Sequence, residues 1–303
     1  MNYTIAIHGG AGTILKARMT PAQQQAYLDA LRASLRAGNT ILKNGGTALD
    51  AVEAAVVLME DCPLFNAGRG SVFTHDGRQE MEAAIMCGRT LDIGAVTHVS
   101  KVRNPIRLSR KILEISEHVI LSGEGAIAFG REQQVAFEEE DWFYDDYRYQ
   151  QWQKALAADQ VVLDHAGQKF GTVGAVALDL HGHLAAATST GGMTNKKYGR
   201  IGDSPLPGCG TYANDRTCAI SCTGHGEFYI RGVVAYDVSC LMEYGGYSLA
   251  EACQKVIHEK QPALGGSGGL IAVDSKGNMA LPFNSEGMYR GWAGKDEEQV
   301  AIW

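Results

Sequence analysis

The sequence predicts a layered α+β fold, in which helices cover sheets whose strands mostly pair antiparallel. Three observations carry this. Helix-patterned segments sit early and between strands. The second half opens on two strand-like runs joined by a tight turn. A chain of 303 residues with 45% hydrophobic content can bury a large core.

Residues 3–7 alternate and are rich in branched side chains, which suits a strand entering a turn at Gly9-Gly10. Thr20-Pro21 supplies an N-cap and a first-turn proline, and the amphipathic stretch from Pro21 to about Lys43 closes at Gly45-Gly46. Thr47 and Asp50 have the capping-box spacing for a second helix, with Ala48, Val52, Ala55, Val56 and Met59 on its apolar face. Strands are expected near Ser71–Phe73, Glu82–Met86, Ala95–His98 and Val119–Ser122, with a helix after Asn104-Pro105. The aromatic residues of 142–152 are expected to pack a helix against the body. Gln160–Phe170 has no clear periodicity, so an exposed linker, mobile over about 155–171, is expected there. Strands follow at Thr172–Leu180, Leu184–Ser189 and Thr217–Thr223. Next come a helix over about Glu227–Glu243, a capped helix from Ser248 to about Lys260, and a closing hairpin of Gly269–Val273 with Met279–Pro282.

Composition removes several function classes. The formal charge is -7 with no basic block, which disfavours a nucleic-acid partner. No run of 18 apolar residues is present to span a membrane, and the N-terminus lacks a basic region before a long apolar stretch. Seven cysteines without regular spacing argue against a disulfide framework, so a reducing cytoplasmic setting is expected. The nine histidines show no zinc-type spacing and are expected at turns or on the surface. The glycine-rich stretch from Ile7 to Gly12 lacks the Gly-Lys-Ser/Thr of a phosphate loop. Gly265–Gly269 matches an esterase nucleophile elbow in letters but precedes a strand.

The chemistry concentrates around Gly171-Thr172-Val173-Gly174. If the bond before Thr172 is cut, its α-amine can take the proton of its own hydroxyl, so one residue supplies nucleophile and base. On letters alone Gly171-Thr172 reads equally as a turn-to-strand junction. Thr190, across a hairpin, could hydrogen-bond Thr172 or merely belong to a Ser/Thr-rich turn. Thr223 and Gly224, at a strand end before a helix, could present donors to an oxyanion. Arg200 and Asp203 suit a carboxylate and an ammonium, though a surface ion pair has the same spacing.

The segments Ile7–Gly12, Gly171–Gly174, Thr188–Pro205 and Pro282–Met288 together resemble the plant-type L-asparaginase and isoaspartyl aminopeptidase family of N-terminal-nucleophile hydrolases, nearly end to end. The resemblance implies a four-layer αββα sandwich in a single domain, self-cleaved into 1–171 and 172–303. It implies Thr172 as nucleophile supported by Thr190, an oxyanion hole of Thr223 and Gly224, and a substrate clamp of Arg200, Asp203 and Gly226, with Asn66 toward the site. A sodium ion on the main-chain oxygens of Met59, Glu60, Cys62, Phe65, Ala67 and Arg69, no organic cofactor, and an (αβ)2 assembly are implied as well. The implied substrates are L-asparagine and β-aspartyl dipeptides. Glycosylasparaginase activity and an unprocessed, silent ligand-binding form are the rivals. The linker before Gly171 looks short for the family, and the chain ends soon after Arg290.

Overall fold

The computed structural model describes residues 2–158, 161, 171–295 and 297–303. It is a mixed α/β fold built on two sheets. The larger has eight strands in the order β12-β11-β1-β5-β6-β2-β3-β4, and the smaller four, β10-β9-β8-β7. The strands of the first are β1 (Thr4–Gly12), β2 (Met81–Cys87), β3 (Ile93–Val99), β4 (Ile120–Ser122), β5 (Val173–Leu178), β6 (Leu184–Thr190), β11 (Gly287–Ala293) and β12 (Glu298–Ala301). Those of the second are β7 (Thr211–Ala213), β8 (Cys218–Gly224), β9 (Gly268–Asp274) and β10 (Met279–Ala280). All pairings between these strands are antiparallel except β3 with β4.

Strand alternation sorts the side chains. Ile5 and Ile7 of β1 join the core formed with α1 (Pro21–Lys43), α2 (Ala48–Glu60) and α3 (Pro105–Ile115), which also holds Leu31, Leu35 and Val52. Ala6 points the other way, into a core shared by both sheets in which Ala84, Ala186, Ala219 and Ile271 meet. The small sheet's second face packs on α8 (Val234–Glu243) and α9 (Leu249–Lys255) through Ile220, Val238, Leu270 and Ala252. The alanines at the seam between the sheets permit close approach.

The expected caps form. Thr20 and Gln23 make a reciprocal capping box at α1, Ser248 and Glu251 another at α9, and Thr47 accepts the Asp50 N–H at α2. Other expectations need correction. β1 does not turn at Gly9-Gly10 but continues through a bulge between His8 and Gly10. A methyl on Gly9 would lie 2.4 Å from the Phe65 ring, which is why glycine stands there. Gly9→Ala is therefore expected to cost about 1–3 kcal/mol, read as a lower urea midpoint at unchanged slope.

No strand forms at Ser71–Phe73, because the Val72 N–H is taken by the Asn66 Oδ1 at 3.0 Å instead of a ladder partner. The helix expected over Glu227–Glu243 breaks into α7 (Gly226–Gly232) and α8 at Val233, whose φ is +46°. There the Ala235 and Tyr236 amides bond to the Cys209 and Gly208 carbonyls. The capped helix at Ser248 extends past Lys260 as a wide turn and α10 (Gln261–Leu264), ending at left-handed Gly265. The expected hairpin forms as β9 with β10, but it does not close the chain: the antiparallel pair β11 and β12 follows and completes the large sheet beside β1.

Helices α4 (Gly123–Glu132), α5 (Glu140–Phe143) and α6 (Asp146–Ala157) fill the stretch before the site. The aromatic residues do pack a helix on the body. Trp152 stacks on Phe73 at 5.6 Å, and Trp142 lies under the guanidinium groups of Arg69 and Arg103 at 4.5 and 4.8 Å. Helix α6 covers residues 155–157, which were expected in the linker; 159–160 and 162–170 lie outside the described residues. No helix among the described residues is long and apolar enough to cross a membrane.

Candidate active site

The sequence-predicted residues meet where β5 begins and β6 and β8 end. The register Val173↔Ser189 puts Thr172 opposite Thr190 at the open ends of the two strands. Both are buried. Thr190 Oγ1 accepts the Gly192 N–H at 2.9 Å, which closes the turn after β6. Gly171 has φ +37°, and a Cβ there would lie 3.2 Å from Thr223 Oγ1, so the residue before Thr172 rests against the end of β8. Thr223 Oγ1 accepts the Ala11 N–H at 3.2 Å, which leaves its own proton free for an oxygen arriving from the Gly171 side. Gly224 has no space for a side chain: a Cβ would meet the Ser267 carbonyl at 2.4 Å.

Asn66 ties the glycine turn to the body. Its Nδ2 donates to the Gly192 carbonyl at 2.8 Å, and its carbonyl accepts the Gly191 N–H at 3.0 Å. Arg200 and Asp203 come together but not as an ion pair with each other. Arg200 Nε and Nη2 form a two-pronged bond with the Glu227 carboxylate at 2.9 and 3.1 Å, so the fork expected to be open is held from α7. Its Nη1 faces Gly192 and Gly202, whose Cβ positions would lie 3.4 and 2.9 Å away. Asp203 is buried, and its Oδ2 has no hydrogen-bond partner among the described residues. Burial pushes its carboxyl up to about 7, against the opposing pull of Arg200. Gly226 packs on both, since a Cβ would lie 2.7 Å from Arg200 Nη2 and 2.9 Å from Asp203 Oδ1.

Two buried ionisable residues beside Arg200 and Asp203, Glu82 and Lys196, had no signal in the sequence. Glu82 Oε2 accepts the Gly202 N–H at 3.0 Å, and Lys196 Nζ donates to the carbonyls of Glu80 and Gly191 at 2.7 and 3.0 Å. Burial lowers the lysine's pKa, which the nearby Glu82 counters. His8 also corrects the expectation that the histidines lie at turns or on the surface. It is wholly buried in β1, with Nδ1 3.1 Å from the Thr172 carbonyl oxygen. Its place in an apolar, alternating strand was the available signal.

The residues of the implied sodium loop span the end of α2 and the Gly68–Gly70 turn. A Cβ on Gly68 would come 2.4 Å from the Glu60 carbonyl oxygen, and one on Gly70 2.0 Å from that of Phe65. The glycines thus let the turn wrap against main-chain oxygens, a donor set that fits a hard cation. The Met59, Cys62 and Ala67 carbonyls also accept main-chain N–H groups, from Cys62, Phe65 and Gly70. No group of three or more His, Cys, Asp or Glu side chains among the described residues could hold a metal.

The family described as Asparaginase matches residues 1–302. The chain belongs to that family. It is 56% identical to the isoaspartyl peptidase of Salmonella typhimurium over 95% of this chain and 94% of that protein. Identity is 55% to the isoaspartyl peptidase of Escherichia coli, over 95% and 92%. The plant-type L-asparaginase of Thermococcus kodakarensis is 39% identical over 98% of this chain and 99% of its own. These family members are similar to the chain along nearly their whole length.

Proposed function

We propose that this chain is a self-cleaving amidohydrolase that converts L-asparagine to aspartate and ammonia and splits β-aspartyl (isoaspartyl) dipeptides. The observation that carries the reading is Gly171–Thr172 seated between Thr190 and Thr223, with buried Asp203 close by at Gly226.

In the first step the Thr172 hydroxyl attacks the Gly171 carbonyl, and the acyl group passes from nitrogen to oxygen. Water then opens the ester, leaving a carboxylate on Gly171 and a free amine on Thr172. Gly171, at the bond to be cut, has the left-handed φ of +37° that glycine adopts without a Cβ penalty. In turnover the neutral α-amine takes the hydroxyl proton as the oxygen attacks the side-chain carbonyl of the aspartyl head. The Thr223 hydroxyl and Gly224 N–H hold the oxyanion, a donor of this kind being worth about 3 kcal/mol. The amine's proton goes to the leaving ammonia or peptide amine, and water releases aspartate from Thr172. Asp203 takes the substrate ammonium, with the Gly226 carbonyl as its second acceptor, and Arg200 Nη1 the α-carboxylate. Both substrates share this head, so one clamp serves both.

The two sheets with helices on their outer faces support a four-layer αββα sandwich forming one domain, cut into 1–171 and 172–303. A sodium ion held by carbonyls of Met59, Glu60, Cys62, Phe65, Ala67 and Arg69 would brace the loop that carries Asn66; it supplies structure, not chemistry. Protons move between the chain's own groups, so no organic cofactor is required. All seven cysteines are free, which suits the cytoplasm. Two cut chains pair as (αβ)2.

The test is direct. Purified protein is expected to show two bands on a denaturing gel, to release ammonia from L-asparagine, and to release leucine from β-aspartyl-leucine. One full-length band and no product from either substrate would overturn the proposal in favour of a silent ligand-binding form.

A further inference from the structure

Four polar side chains form a continuous file across the seam between the sheets. His8 Nδ1 lies 3.1 Å from the Thr172 carbonyl oxygen, and His8 Nε2 lies 2.9 Å from Ser221 Oγ. Ser221 Oγ lies 2.7 Å from Thr188 Oγ1, and Thr188 Oγ1 lies 2.6 Å from Thr211 Oγ1. Thr211 Oγ1 is also 2.9 Å from the carbonyl of Ser204, the neighbour of Asp203. All four side chains are fully buried, and they come from β1, β8, β6 and β7.

The direction of the file follows from its fixed end. A carbonyl can only accept, so His8 carries its proton on Nδ1. Burial pushes the imidazole down to about 3, so it is neutral and Nε2 must accept. Ser221 therefore donates to Nε2, and Thr188 donates to Ser221 at 2.7 Å, with the Gly210 carbonyl a longer acceptor at 3.4 Å; Thr211 divides its one proton between Thr188 Oγ1 and the Ser204 carbonyl. The Ser221 and Thr188 hydroxyls point toward Thr172, and Thr211 ties the file to the loop that carries Asp203.

Buried hydroxyls and an imidazole in an alanine-rich seam are costly unless fully paired, and apolar side chains would fill the same space without that demand. The chain also leaves room for the file. A Cβ on Gly174 would lie 2.0 Å from Ser221 Oγ and 2.5 Å from His8 Nε2. The last glycine of the Gly171–Gly174 motif thus serves the file as well as β5.

We infer that His8, Ser221, Thr188 and Thr211 are positioning residues: a hydrogen-bond line that ties the Thr172 carbonyl to the loop carrying Asp203. The inference rests on Thr172 as nucleophile. Once the bond before it is cut, Thr172 is a chain end, and chain ends fray unless tied down. With its carbonyl held, its hydroxyl and amine keep their aim on the substrate head.

The test is a pair of substitutions at Thr188. Thr188→Val keeps the shape and removes the hydroxyl; Thr188→Ser keeps the hydroxyl. The valine variant is expected to lower kcat and the self-cleavage rate about 10- to 100-fold with little change in KM. The serine variant should restore both to within about 3-fold, given that displacements well under 1 Å cost little. Wild-type rates in the valine variant, or equal losses in both, would overturn the line.

Nitrogen NMR of His8 in the wild-type protein gives an answer even if the valine variant does not fold. A proton on Nδ1 alone at pH 7 supports the line, and a proton on Nε2 overturns it. Thr172→Ala run alongside separates the two readings. If that variant still turns over, the nucleophile assignment has failed. If it is dead while Thr188→Val behaves as wild type, only the line has failed.

Discussion

Replacing Thr172 by alanine is expected to leave a single chain of 32.5 kDa and to cut ammonia release from asparagine by at least about 10,000-fold. The size of the loss follows from what one side chain does. In the proposed mechanism the Thr172 hydroxyl attacks Gly171 first and substrate second, and the base appears only when the first attack succeeds. An alanine has no oxygen for the first step, so the amine is never freed for the second. Thr172→Ser keeps the oxygen and is expected to cut itself and retain activity. Mass spectrometry of each variant gives the cleavage state, and an ammonia assay gives the rate. Splitting or turnover in the alanine variant would remove Thr172 from its role.

Asp203→Asn is the second large effect. Losing the charge that faces the substrate ammonium is expected to cost about 2–5 kcal/mol in kcat/KM, or roughly 30- to 4,000-fold. The pH profile carries the signature. Burial raises the Asp203 carboxyl to about 7, so its anionic, ammonium-binding form is present above that pH and is lost as pH falls through it. The Thr172 α-amine, ordinarily near 7.7–8.0, must likewise be neutral to act as base. With two groups gaining protons, log kcat/KM of the wild type should steepen toward about two per pH unit on the acid side. In Asp203→Asn only the amine titrates, and the slope should approach about one. An unchanged slope would show that Asp203 does not meet the ammonium as a carboxylate.

Much of the fold was legible because its cues are local. Thr20-Pro21 and the Ser248/Glu251 pair start helices by chemistry contained in four residues. The expected β5–β6 hairpin forms because its turn and alternation are contained in one short segment. What failed depends on distant partners. Gly9-Gly10 looks like a turn until the Phe65 ring, far away in sequence, explains why a strand needs glycine there. The break at Val233 is set by carbonyls of the 208–209 loop, and no pattern within the helix announces it. β11 and β12 gain their identity from β1. At the site, Thr172, Thr190, Thr223, Arg200 and Asp203 lie in motifs that could be found by reading. His8 and Lys196 lie in such motifs too, but their roles, like those of Glu82 and Glu227, come from neighbours that only the fold supplies.

The strand order of the large sheet has a final consequence. β1 lies between β11 and β5, while β6 borders β2, so segments from either side of residue 172 are interleaved. Should the chain be cut at that point, the two products would share one set of ladders instead of facing each other across a surface. Their dissociation constant would include the cost of unfolding both, so ordinary dilution would not part them. Each would come free only when the whole molecule unfolds, and neither would regain its shape alone.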